Sequence, residues 1–148
     1  MKKLTLMICT MMRGLDDDQI RMNFIEVQTF LIDYLYKEYN GEVELHFTDN
    51  FTNYRCPAVD DDDDAYRMFC MGNGISNVMS MSDIVVLSPG WQNSRGCIAE
   101  ALIAKLYNKQ IMMVNRNVDN GKLYVASHDA FVTQLKLAMT LFGIYKEN

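Results

Sequence analysis

The sequence predicts an α/β fold: one domain built on an open, mostly parallel sheet of four to five strands, with helices on both faces. Three observations predict it. Segments at 4–10, 43–48, 83–87 and 110–115, the first and third of them short apolar runs, have the length of strands rather than of helices. The segments between several of them carry apolar residues at spacings of three and four, the period of a helix with one face on a core. Strands that alternate with helices pair in parallel, because a parallel neighbour can be reached only through a crossover. The chain of 148 residues is long enough to bury a real core and shows neither an internal repeat nor a linker, so one domain spans it.

The first run, 4–10, fits a central strand and ends in a turn that contains Gly14. Asp16, Asp17 and Asp18 mark a helix start, where acids oppose the positive end of the helix dipole. Ile20, Phe24, Val27, Leu31 and Tyr34 form the apolar stripe of that helix, and Asn40-Gly41 closes it as a C-terminal cap. After the second strand, 49–64 reads as an irregular polar loop interrupted by Pro57. Loops of that length in compact domains are usually functional or mobile. A weaker helix covers 65–81, with Gly72 and Gly74 expected to break or kink it. The strand at 83–87 leads through the turn Ser88-Pro89-Gly90-Trp91 into a helix over 94–107, with Ala99, Leu102, Ile103 and Leu106 on one face. After the fourth strand, Asn120-Gly121 is a turn and 122–125 a short edge strand. Ser127 caps the last helix, which runs to about 145 with His128 and Asp129 in its first turn.

Right-handed crossovers place the strand-to-helix loops of such a sheet on one edge. The loops at 11–14, 88–93 and 115–119 therefore converge on one crevice, the arrangement of Rossmann- and flavodoxin-like folds. The most informative stretch lies there: Ser94-Arg95-Gly96, with Glu100 four residues after the glycine. A lone carboxylate one turn into this helix faces the crevice, against the alternative of a solvated helix acid. Ser94 caps the helix and can also donate to a phosphate or sugar oxygen at its N-terminus. Arg13 beside Gly14 is either an anion clamp or a surface charge. Trp91 is either a stacking platform for a base or an anchor that packs the loop.

Composition narrows the partners. A formal charge of −5 argues against a nucleic-acid polymer, which needs a basic stripe to hold its phosphates. No apolar stretch approaches the ~18 residues of a membrane span. Met1-Lys2-Lys3-Leu4 leads straight into a strand and lacks a small-residue cleavage site, so no signal peptide is expected. Cys9, Cys56, Cys70 and Cys97 are scattered without a C-x-x-C pair and have only two histidines to join them. That pattern predicts reduced thiols in a cytoplasm and no zinc. Cys9 and Cys97 fall near the crevice and read as small buried hydrophobes. The acidic run 60–64 lacks the alternation and the glycine of a calcium loop and reads as a solvated loop ending in a helix cap. No cofactor is indicated.

The stretch Asp83-Ile84-Val85-Val86-Leu87-Ser88-Pro89-Gly90-Trp91 with Ser94, Gly96 and Glu100 resembles the nucleoside 2-deoxyribosyltransferase-like superfamily. That group includes deoxyribosyltransferases, nucleoside 5′-monophosphate N-glycosidases and small phage and bacterial proteins of unassigned role. The form L-x-P-G-W-x-x-S-x-G-x-x-x-E is similar to the last of these, and Arg13-Gly14 matches the superfamily's early sugar-phosphate loop. The likeness runs from residue 4 to about 115, with a moderately specific centre and weak flanks. It implies a nucleoside or nucleotide as substrate, Glu100 as the nucleophile at C1′, and a sugar and base held by Thr10, Arg13, Gly14, Trp91, Ser94, Gly96 and Asn115. A homodimer or larger assembly is implied as well. The chain departs from the pattern at three places: Ile75 stands where the superfamily has an aspartate for the base's proton, Met7 where it has a tyrosine, and Thr10 where it has a glycine. Asp83 or an acid of the 60–64 run is then expected to carry the proton. The alternative is a catalytically silent nucleotide-binding protein that sequesters a signal in the same crevice. On either reading Glu100 is expected to be ionised at pH 7, as a free carboxyl with a pKa near 4.3 would be.

Overall fold

The computed structural model describes residues 1–12, 14–48 and 64–143, and for Tyr66 and Arg67 the backbone alone. Five strands form one sheet: β1 (Lys2–Cys9), β2 (Val43–Phe47), β3 (Ile84–Leu87), β4 (Gln110–Arg116) and β5 (Leu123–Val125). Their order is β2-β1-β3-β4-β5. The first four are parallel, with Lys2 opposite Val43, Leu6 opposite Ile84 and Ile84 opposite Gln110. β5 runs antiparallel on β4 as the edge strand. Among the described residues four helices accompany them: α1 (Asp17–Glu38), α2 (Asp64–Asn77), α3 (Arg95–Leu106) and α4 (His128–Leu141). The sheet is thus mixed but mostly parallel, as the alternation of elements predicts.

Alternation along β1 and β3 divides the core in two. Leu4, Leu6 and Ile8 share one side with Ile84, Val86 and Val114, and pack on Val27, Leu31 and Leu35 of α1. Met7 and Cys9 share the other side with Val85, Leu87 and Met113, and meet Cys97, Ile98, Ala101 and Ala104 of α3 and Phe131, Leu135 and Ala138 of α4. Both faces of the sheet are covered, so β3 is buried along its whole length. Each fully buried aliphatic side chain contributes roughly 1.5–3 kcal/mol relative to leaving it in water.

The helix ends follow from local chemistry. Asp16 caps α1 by accepting from the Gln19 amide at 2.8 Å, while its own N–H donates to the Gln19 side chain at 3.1 Å, a reciprocal box that satisfies two otherwise orphaned donors. Ser127 accepts from the Ala130 amide at 3.1 Å to start α4. That helix stops at Leu141, before Gly143 at a φ of +73°; residues 144 and 145, expected to be helical, lie outside the described part. Of the loop expected over 49–64, residues 49–63 also lie outside it, including the acidic residues 60–63, and Asp64 opens α2.

Two expectations change. The helix before β3 is not broken at its glycines: α2 passes through Gly72 and Gly74 and ends at Asn77, with a 3-10 turn over Met79–Met81. Each glycine costs about 1 kcal/mol in a helix, which weakens the element without forbidding it. The buried face of α3 is Cys97, Ile98, Ala101 and Ala104, whereas Leu106 is 73% exposed. Apolar residues surround α3 on most sides, so spacing alone does not select the face that meets the sheet.

Candidate active site

The chain reverses direction across the sheet between β1 and β3. From β1 the crossover leads outward to β2, and from β3 it leads the other way to β4. Open α/β sheets bind ligands beyond the carboxyl ends of such a pair, where the two diverging connections leave a crevice. The ends are tied together here. The Ser88 amide donates to the Cys9 carbonyl at 3.1 Å, and the hydroxyls of Thr10 and Ser88 lie 3.3 Å apart, both buried.

α3 begins beside these ends. The loop after β3 turns at Gly90, where a φ of +87° suits a residue without a Cβ, and makes a 3-10 turn over Trp91–Asn93. Ser94 then caps α3, its hydroxyl accepting from the Cys97 amide at 3.3 Å. One turn on, Glu100 is part-buried, and its Oε2 accepts from the Cys9 thiol at a sulfur–oxygen distance of 3.5 Å. Glu100 makes no ion pair among the described residues.

Burial among apolar neighbours raises the Glu100 carboxyl to about 7, against the smaller opposing effect of the Cys9 hydrogen bond. The expectation of a fully ionised glutamate at pH 7 is corrected accordingly: near neutrality the group is divided between carboxyl and carboxylate. The desolvation that raises it depends on what packs around it and has no signature in the residue type. The thiols respond in the same direction. Burial raises Cys97 to about 12, reinforced by the Glu100 charge and opposed by its contact with Ser94. Burial, followed by the charges of Glu100 and Cys97, raises Cys9 well above an ordinary thiol. Both therefore stay protonated at neutral pH, and Cys9 is a donor.

The other expected residues are placed unevenly. Thr10 lies at the end of β1, its hydroxyl engaged with Ser88. Gly14 adopts a φ of +81° in the turn before α1, and Arg13 lies outside the described residues. Asn115 is in β4 opposite Tyr124, two strands and roughly 10 Å across the sheet from β1. Gly96 shares a helix face with Glu100, but the space above it is filled: a Cβ there would sit 3.1 Å from Cε of Met71 in α2. Its bareness lets α2 approach α3.

Two assignments are corrected. Trp91 is fully buried, its ring 5.9 Å from that of Phe131, and its Nε1 has no hydrogen-bond partner among the described residues. No face is open to a base, so Trp91 is the loop's anchor. Asp83 cannot serve Glu100 as a proton carrier, because it precedes β3 and therefore lies at the opposite rim of the sheet. There its carboxylate accepts from the Thr5 amide at 2.8 Å. Four residues of strand, roughly 13 Å, separate it from the level of Leu87 and Cys9.

A small cavity of about 110 Å³ lies along α3, lined by Arg95, Ile98, Ala99, Leu102 and Phe142. At 100° per residue this strip is turned about 150° round the helix from Glu100, so the cavity is separate from the carboxylate. Among the described residues no group of three or more His, Cys, Asp or Glu side chains could hold a metal, and no helix is long and apolar enough to cross a membrane. Compared with family models, curated proteins and solved structures, the chain finds no match.

Proposed function

We propose that the chain cleaves the N-glycosidic bond of a nucleoside or nucleotide, as an N-glycosidase or 2-deoxyribosyltransferase on a Rossmann- or flavodoxin-like fold. The observation that carries this reading is the position of Glu100: a part-buried carboxyl, free of ion pairs among the described residues, beside the carboxyl ends of β1 and β3. Burying a carboxyl without a countercharge is costly, and such arrangements concentrate where a group is kept for chemistry. The likeness of the stretch 83–100 to the nucleoside 2-deoxyribosyltransferase-like superfamily supports the same reading.

The carboxylate attacks C1′ of the sugar. The C1′–N bond breaks as the C1′–O bond of a glycosyl ester forms, and the departing base takes up a proton from water. Water then opens the ester to the free sugar, or a second base nitrogen takes its place, and the carboxylate is restored. Thr10, Ser88 and Ser94 place hydroxyls at this rim, where they could meet a sugar or a 5′-phosphate. A homodimer or larger assembly belongs to the proposal, and the exposed Leu137, Leu141 and Phe142 at the end of α4 supply apolar surface for it.

One observation favours the silent-binding alternative. Ile75, at the superfamily's aspartate position, packs against the core beneath α3 and cannot transfer a proton. Loss of a general acid costs roughly 100- to 10,000-fold in rate. Chromatography of nucleosides and 5′-monophosphates incubated with the protein separates the two. Free base released by wild type but not by Glu100→Gln, at a rate that rises with pH through about 7 as the carboxylate forms, is the expected result. Nucleotide-dependent thermal stabilisation with no base released would establish the binding-only reading instead.

A further inference from the structure

We propose that Cys9 is the positioning residue of Glu100: its thiol holds Oε2 at the end of β1 and so orients the carboxylate towards the rim of the sheet. The inference rests on the reading of Glu100 as the nucleophile, and adds a residue whose role sequence reasoning took to be packing alone.

The geometry sets the direction of the contact. Cys9 is buried, on the side of the sheet that meets α3, and its Sγ lies 3.5 Å from Oε2. Its backbone is fixed in two ladders, by β2 through the rest of β1 and by β3, where Cys9 stands opposite Leu87. The donor is therefore carried by a strand paired on both sides, while the acceptor ends a longer side chain on a helix. Among the described residues Cys9 is the hydrogen-bond partner that Glu100 has. The other titratable group acting here is Cys97, from the same helix as Glu100. α2 contributes Asp64, which pairs with Arg95, and the turn after β3 contributes Gln92, bonded to Gln134 of α4. Thr10, Ser88 and Ser94 do not ionise in the working range.

A thiol is a weak donor. It fixes an orientation while stabilising the charge less than a hydroxyl would, so the carboxyl stays near neutrality instead of returning to the range of a free glutamate. Cys9 thus sets two properties of the nucleophile, its aim and the pH at which it forms.

The test titrates wild-type, Cys9→Ser and Cys9→Ala proteins, each labelled with ¹³C at the glutamate carboxyl, and follows the Glu100 resonance. Its assignment comes from Glu100→Gln. The wild-type midpoint is expected near 7, lowered by roughly one pH unit in the serine variant and raised by roughly half a unit in the alanine variant. The S–H infrared band of Cys9 in wild type should shift as Glu100 ionises, because its acceptor gains a charge, and should stay fixed in Glu100→Gln. The same midpoint in all three proteins, or a wild-type band that ignores pH, overturns the proposal. If both substitutions unfold the chain, the wild-type band decides alone. Midpoints that shift as stated in a protein that releases no base from any substrate would leave this contact standing and remove the glycosidase reading.

Discussion

Replacing Glu100 by glutamine should make the protein more stable at alkaline pH and leave it unchanged in acid. In the folded chain the carboxyl ionises at about 7, against 4.5 for the ordinary group. The folded state therefore binds the proton more tightly than the unfolded state, and linkage fixes the sign. The stabilising contribution is complete below 4.5, falls as pH rises, and is lost above about 7, where the folded state must hold a buried carboxylate. At ~1.36 kcal/mol per pH unit the difference amounts to about 3 kcal/mol, an upper value because solvent reaches part of the side chain. Glutamine keeps the shape and carries no charge at any pH. Its advantage over wild type should be near zero at pH 4.5 and approach about 3 kcal/mol at pH 8, roughly 6–12 °C in Tm for a chain of this size. Urea unfolding of both proteins across that range measures it directly, and every other titrating group cancels in the difference. Parallel stability curves, with a gap that does not depend on pH, would refute the reasoning, because they would mean that Glu100 is hydrated as well folded as unfolded.

Three further outcomes are expected. Gly96→Ala should cost about 1 kcal/mol or less, since its Cβ would press on the flexible end of Met71; combining it with Met71→Ala should remove that cost, and a double-mutant cycle by urea unfolding measures the coupling. The emission of Trp91, the sole tryptophan, should be blue-shifted and resist quenching by acrylamide and by nucleotides; red-shifted, readily quenched emission would return it to the surface. Asp83→Asn should leave base release, or nucleotide binding, unchanged within about twofold, while losing up to about 1 kcal/mol of stability from the Thr5 contact, as read by kinetics and unfolding together.

Where sequence reading succeeded, the determinants were local. The run Ile84–Leu87 is apolar throughout because β3 is buried on both faces, and Asp16 and Ser127 cap helices through bonds to residues three positions on. Where it failed, the determinants were tertiary or directional. Asp83 lies near the site in sequence, yet a residue that opens a parallel strand lies at the rim away from the loops that follow it, which strand polarity alone could have revealed. The face of α3 was illegible because Ala99, Leu102 and Leu106 are as apolar as the residues actually buried. Gly96 was implied as a ligand contact by the resemblance, and only the neighbouring helix shows that a methionine fills the space beside it. Glu100 was legible as a candidate by its position after Ser94 and Gly96. Its ionisation was not, since desolvation depends on side chains brought in from β1 and α3.

The division of the interior into two compartments gives β1 a parity. Even-numbered residues Leu4, Leu6 and Ile8 belong to the α1 compartment, whereas Met7 and Cys9 belong to the one that holds Glu100. Slipping the register of this strand by one residue against β3 would exchange the two sets and carry the thiol through the sheet, away from its carboxylate. By the same token, the compartment under α1 can be redesigned with other aliphatic side chains without touching Cys9, Cys97 or Glu100, which lie behind a wall of backbone.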